Sequence, residues 1–376
     1  MGLEFRNRSS RVGFLLVPAT VSDPVRPLRS RVERVLDEHL RRQRAVLGAQ
    51  SPDLLPLIDA ATDLLAGGKR LRPAFCYWGW RGAGAADEEA IVNAAASLEF
   101  FQAAALIHDD LIDGSDTRRG MPSVHRRFAG VHEQNRWRGD PSRFGNAAAV
   151  LLGDLCLGWS DELLNMCGLS DTALRRGRPV FDRMRTELIG GQFLDVLEQV
   201  SGALNPAGQA ARARRVIRHK SARYSVEHPL LLGGSLAGAS ERLMASYSAY
   251  GLPLGEAFQL RDDVLGVFGD PERTGKPAED DLREGKRTLL VAFALERASP
   301  AQVEAVETLL GDPFLDAAGV EELRTIIVET GALERVEVLV DDLVASAVAA
   351  LADAPVVDDA REALAELIIA ATVRVR

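Results

Sequence analysis

The stretch ALIHDDLIDGSDTRRG, residues 105–120, closes a long apolar run with four carboxylates and two guanidiniums within eleven residues. Asp109, Asp110 and Asp113 stand at i, i+1 and i+4, so on a helix positions 109 and 113 project within roughly 40° of one another. A second pair, Asp262 and Asp263 in RDDVLGVFGD, ends another apolar run. Two acidic helix ends meeting in a partly desolvated cleft would repel strongly without counter-ions. Hard divalent cations suit such oxygen sets: Mg²⁺ keeps part of its water and bridges one or two carboxylates to phosphate oxygens. The chemistry these residues fit is capture of a di- or polyphosphate. Taken alone, a D-D-x-x-D is more often a helix end fraying into solvent, so the rest of the chain must decide.

The basic residues agree with a phosphorylated guest. GGKRLRP, residues 67–73, sets Lys69 and Arg72 after a Gly pair and beside a predicted helix start, where the helix dipole favours an anion. Arg118 and Arg119 can hold phosphate oxygens in bidentate fashion. Lys220 in HKSARYS, with Lys276 and Lys286 flanking EDD, adds point charges. Each alone reads as an ordinary surface charge. Two acidic beds with two separate basic clusters indicate two phosphorylated substrates.

Helices must position these groups. Beyond residue 25, Ala and Leu dominate and apolar residues recur at three- and four-residue spacing, predicting helices over roughly 27–48, 53–66, 70–82, 87–113, 144–167, 170–201, 207–224, 226–238, 240–268, 286–298, 301–310, 317–330, 332–352 and 357–373. Residues 136–145 are expected to form an ordered loop. Residues 91–108 are apolar nearly all round, the pattern of a helix wrapped by others. On it, Gln102 precedes Asp109 by seven residues, roughly 20° off the same line. It could touch a ligand or be satisfied by a neighbouring backbone. No internal repeat or linker divides the chain, so one all-α domain over 26–376 is expected. Residues 1–25, Arg-rich with a short apolar stretch, read as an extension outside the fold: disordered, a fusion remnant, an upstream start or a targeting segment.

Composition narrows the function. The 376-residue chain carries a net charge of −9, which gives a nucleic-acid partner no electrostatic support. Ten Arg face five acids in residues 1–44, so the negative excess lies beyond them. Three cysteines (Cys76, Cys156, Cys167) without CxxC spacing or nearby His fit a reducing, cytoplasmic setting and argue against zinc or a disulfide framework. No run of eighteen uncharged apolar residues occurs, and no membrane span is expected.

GGKRLRP, HDDLIDGSDTRRGMPSVH and FQLRDDVLGVFGDPERTGKPAEDDLREGKRT, in this order, resemble the sequence blocks of trans-isoprenyl diphosphate synthases, the polyprenyl synthetase family, and the likeness runs from about residue 25 to the C-terminus. The resemblance implies a single-domain bundle of long helices around a deep central cavity, paired as a homodimer. It implies Mg²⁺-dependent, head-to-tail condensation of isopentenyl diphosphate with an allylic diphosphate (dimethylallyl, geranyl or farnesyl). Asp109, Asp110 and Asp113 would bind ions holding the allylic diphosphate, with Asp262 facing them through a third Mg²⁺. Lys69, Arg72, Gln102 and Arg119 match the isopentenyl diphosphate pocket. Arg118, Lys220, Gln259, Lys276 and Lys286 match positions gripping the allylic diphosphate, Ser221 stands where the family often has Thr, and Gln192 and Asp195 in GQFLD fit a cavity-lining pattern. One departure stands out: the third place of the second D-D-x-x-D is Gly266, with Asp270 a turn later. Weaker binding of the third metal, or loss of activity, are its two consequences.

Product length should be set on the helix bearing Asp109. Ala104 and Ala105 are small and Phe101 is the first bulky residue on that side; each helical turn rises about 5.4 Å, close to one isoprene unit. In this family, aromatics at the nearer positions accompany fifteen-carbon products, so twenty-carbon geranylgeranyl diphosphate is expected, with farnesyl and geranylfarnesyl diphosphate as neighbours. Otherwise Phe101 is plain core and another helix sets the floor. The rivals are a class I terpene cyclase, which needs no isopentenyl pocket, a non-catalytic subunit of a heteromeric synthase, for which Gly266 speaks, and a purely structural helical protein.

Overall fold

Helix-forming composition and frequent capping signals dictate the architecture. A computed structural model describes residues 25–201, 208–269 and 279–372. The chain runs α1 (Arg26–Gln50), α2 (Leu55–Leu65), α3 (Leu71–Gly82), α4 (Glu89–Asp113), a two-stranded ribbon of β1 (Thr117–Arg118) and β2 (Met121–Pro122), α5 (Val124–Gln134), α6 (Pro141–Asn165) and α7 (Asp171–Ser201). There follow α8 (Gln209–Val216), a wider π-helical segment (Ile217–Glu227), α9 (His228–Ala237), α10 (Glu241–Phe268), one turn at Asp280–Arg283, α11 (Leu289–Leu295), α12 (Pro300–Leu309), α13 (Ala317–Glu329), α14 (Ala332–Ala352) and α15 (Asp358–Thr372). The fold is all-α, as expected. Asp140 accepts from the Ser142 backbone at 2.9 Å and Asp316 from Gly319 at 2.9 Å, fixing the starts of α6 and α13. Ser299 and Gln302 form a reciprocal capping box on α12.

The central element is α4. Ile91, Leu98, Phe100, Phe101 and Ile107 are fully or almost fully buried, and α4 packs on α1, α3, α5 and α6. Among the described residues it is the one helix long and apolar enough to cross a membrane. Its burial within the bundle explains that apolarity as core. Gly114, at φ 69°, ends the helix directly after Asp113, because an L-residue pays to enter that region.

Two elements depart from expectation. The segment 124–134 forms a helix, α5, which the apolar pattern had hidden because His125 and His132 supply part of its buried face. The ribbon turns through Arg119 (φ 54°) and Gly120 (φ 75°), the left-handed pair of a tight hairpin, and so re-aims Arg118 and Arg119. The 136–145 loop is shorter than expected, α6 starting at Pro141, and Phe144 packs its ring against Phe128 and Trp137.

The π-helical segment is clasped by glycines on both sides. A Cβ at Gly191 of α7 would meet the Lys220 backbone nitrogen at 2.4 Å, and one at Gly255 of α10 the Ala222 carbonyl at 2.3 Å. Such close backbone approach requires glycine. The wider winding turns Lys220, Ser221, Tyr224 and Ser225 together toward the interior, a use of π-turns common at functional sites.

Candidate active site

A cavity of about 1090 Å³ opens where α4 and α10 end, lined by Asp109 on one side and Asp262 and Asp263 on the other. Lys69, Arg72, Gln102, Arg118, Arg119, Lys220, Ser221, Gln259 and Lys286 share its wall. The expected acidic and basic residues are therefore brought to one place, with two exceptions behind the wall: Asp110 and Asp113 stand in the second layer. Lys276 and Asp270 lie outside the described residues, as do the terminal residues 373–376. Phe101 and Ala105 border the cavity, whereas Ala104 is fully buried away from it.

Lysines act as the counter-ions of the acidic residues. Lys220 Nζ lies 2.9 Å from Asp109 Oδ1 and 2.6 Å from Asp195 Oδ2, and Gln192 donates to Asp109 at 2.8 Å. Lys286 Nζ lies 3.2 Å from Asp113, 3.4 Å from Asp281 and 2.6 Å from Glu284. Arg118 is bound to Asp110, its Nε donating at 2.9 Å. Burial opposes ionisation of Asp109, but Lys220, Lys286 and Arg118 outweigh it and hold its carboxyl below the usual carboxylate range. Burial, against Lys286 and with Asp109 adding repulsion, pushes Asp113 up to about 6. Burial pushes Asp263 up to about 8, its hydrogen bond from Gln259 opposing and the charges of Asp281 and Asp262 adding to the rise. Burial opposes protonation of Lys220 and Lys286 too, yet their carboxylate neighbours raise both.

The donor set fits a hard cation. Both side-chain oxygens of Asp113 are buried and accept no hydrogen bond, the Lys286 ion pair lying out of hydrogen-bonding alignment. Two buried carboxyls driven toward protonation would gain from a cation that ionises them. Among the described residues no three His, Cys, Asp or Glu side chains close on one point as a ready metal cage. Any ion must draw further ligands from water or substrate, as Mg²⁺ commonly does.

The second basic cluster is built from below. Arg70, at φ 52°, precedes α3 and is buried against Glu99, its other nitrogen donating to the Leu65 carbonyl at 2.6 Å. This pair anchors the loop that presents Lys69 and Arg72. Arg119 donates to the Leu64 carbonyl at 3.1 Å, while burial and the neighbouring guanidiniums lower its pKa against the pull of Glu99. Arg72 lies over the Tyr224 ring at 4.3 Å and donates to Ser225 at 2.7 Å. The Tyr224 hydroxyl donates to Gln102 Oε1. Sequence reasoning missed Arg70, Glu99, Tyr224, Asp281 and Glu284. Glu99 could have been found, being the one carboxylate within the apolar run 91–108.

An all-helical bundle with charged rims over an apolar shaft is the architecture of isoprenoid diphosphate enzymes. The polyprenyl synthetase family model matches residues 56–327: the chain belongs to that family and is a trans-prenyltransferase. It is 31% identical to a geranylfarnesyl diphosphate synthase of Aeropyrum pernix over 81% of this chain and 89% of that one. It is 29% identical to a nonaprenyl diphosphate synthase of Mycobacterium tuberculosis over 95% of each. Its fold matches a geranylgeranyl pyrophosphate synthase of Corynebacterium glutamicum, solved with isoprenyl diphosphate and magnesium, with TM-score 0.88 and 40% identity over 94% of this chain and 99% of that one.

Proposed function

We propose that this chain condenses isopentenyl diphosphate with an allylic diphosphate in a Mg²⁺-dependent reaction, most readily to geranylgeranyl diphosphate. One observation carries the reading: Asp109 and Asp262, at the ends of different helices, line a single cavity whose remaining rim is basic. Asp109 and Asp262, on the cavity wall, would hold magnesium, up to three ions, with Asp113 acting from the layer behind. When bound, the metal would neutralise the diphosphate and polarise the allylic C–O bond.

The chain's residues supply the rest. Lys220, Lys286 and Arg118 stand where negative charge grows as the C–O bond breaks and pyrophosphate departs, already oriented by their carboxylate partners. Lys69, Arg72 and Arg119 hold the second diphosphate, with Gln102 beside it. The isopentenyl double bond then attacks the allylic cation to form the new C–C bond, and the proton lost passes to the departed pyrophosphate, no nearer base being evident. Phe101, Ala105, Leu106 and Leu188 wall the shaft and keep water from the cation.

Phe101 supports the product assignment. It sits eight residues, roughly 12 Å, below Asp109 and is held by Tyr224 and Phe181 at ring separations of 5.4 and 6.3 Å. The twenty-carbon name of the Corynebacterium structure also favours it, although relatives named for longer products match as well. A homodimer is supported by exposed apolar residues of α7, Leu197 and Val200 outside the cavity, with Ile189 and Phe193 bordering it. A cytoplasmic setting is supported by three unpaired buried cysteines.

The test is incorporation of radiolabelled isopentenyl diphosphate by the purified protein with Mg²⁺ and each allylic primer. The expected outcome is label in a twenty-carbon product identified by mass spectrometry. No incorporation with any primer would leave the cyclase or the silent-subunit reading, and would end this one.

A further inference from the structure

Gly191 and Gly255 make room for the π-helical segment, and a carboxylate of α7 matches its repeat. Glu187 Oε2 accepts from Arg223 Nη1 at 2.8 Å and lies 3.1 Å from His228 Nε2. Those two residues, five apart, also close the last wide turn, where the His228 backbone N–H donates to the Arg223 carbonyl. In an α-helix, residues five apart point roughly 140° from one another; an i→i+5 winding brings them onto one face. One oxygen thus meets both side chains in the register of the wide turn. Burial opposes ionisation of Glu187, but its hydrogen bonds with Arg223 and His228 outweigh it and hold the carboxyl below the usual range. From the α10 side, Ser248 Oγ donates to Glu227 Oε1 at 2.8 Å.

The same register aims the inner side of the segment. Lys220 and Ser225, likewise five apart, both line the cavity: Lys220 pairs with Asp109 and Asp195, and Ser225 accepts from Arg72 at 2.7 Å. The wide winding therefore serves both basic clusters at once. Glu187, Arg223 and His228 do not border the cavity, so their effect on it passes through the backbone. We propose that Glu187 is a positioning residue: it locks the segment into its wide winding, and so keeps Lys220 turned to one diphosphate site and Ser225 under the Arg72 of the other. The inference rests on the diphosphate reading above.

The experiment compares wild type, Glu187→Leu and Glu187→Gln by calorimetric titration of inorganic pyrophosphate with MgCl₂, each well below its melting temperature, and adds a crystal structure of Glu187→Leu. Removing the bridge should weaken magnesium-dependent pyrophosphate binding about tenfold or more, the loss of one charge-assisted contact. The crystal should show the His228 backbone N–H moved from the Arg223 carbonyl to that of Tyr224. Glu187→Gln, whose amide oxygen can still meet both partners, should recover most of the affinity. A residue that only stabilised the fold would lower the melting temperature and leave the affinity of the folded protein unchanged. Wild-type affinity in Glu187→Leu, an intact wide turn in its crystal, or Glu187→Gln as weak as Glu187→Leu overturns the proposal. Should Glu187→Leu not fold, Arg223→Leu cuts the same bridge from its other end and decides in its place. If the wild type itself shows no magnesium-dependent binding, the diphosphate reading has failed, while the crystal still judges the winding.

Discussion

Lys286 lies within 3.5 Å of three carboxylates, Asp113 on α4 and Asp281 and Glu284 in and just after the turn Asp280–Arg283. Lys220 does the same for Asp109 and Asp195. These ammoniums let the acidic rims coexist in the free protein, and on the proposed reading they would turn to a bound diphosphate. At this scale the proposed product length would turn on one side chain. Phe101→Ala is expected to shift the product distribution toward twenty-five carbons and beyond, read by mass spectrometry of the hydrolysed products; an unchanged distribution would move the floor to another helix. Most polar residues of the site were legible because their types are rare in apolar helices, as with Gln102 and Asp109. Tyr224 and Glu284 were not, because a Tyr and a Glu in polar stretches look the same whether they face solvent or a cavity.

At the scale of elements, long periodic helices were readable to within a few residues, since α4, α7, α10 and α14 carry uninterrupted apolar faces. The α5 helix escaped because two histidines do the work of apolar residues on its buried side, and the π-helical widening escaped because its cause lies elsewhere, in Gly191 and Gly255. Another buried histidine has a measurable consequence. His39 of α1 is fully buried against Phe100 and Trp159, at ring separations of 4.8 and 6.1 Å, so α1, α4 and α6 meet there. Burial, with Arg42 adding repulsion, lowers its pKa to about 4. The unfolded chain then binds a proton that the fold refuses: stability is fully present above the ordinary value near 6.5 and is lost as pH falls toward and through about 4. Melting temperatures of His39→Gln are expected to decline less steeply than wild type between about pH 6.5 and 4.5. Parallel declines would show that His39 contributes nothing to the acid limb.

At the scale of the molecule, the helices leave a shaft with charged rims, and α7 leaves Leu197 and Val200 exposed outside it. Light scattering should report twice the chain mass, and a Leu197→Glu/Val200→Glu variant should shift it toward one chain; a wild-type monomer would contradict the dimer. The central claim is that the opposed aspartates take up a prenyl diphosphate only through magnesium. It is tested most directly by calorimetry with an unreactive thiolo analogue of geranyl diphosphate, with and without MgCl₂. The expected result is binding that disappears when the metal is chelated and weakens about tenfold or more in Asp109→Asn. Equal affinity in chelator, or in Asp109→Asn with the metal present, would contradict it.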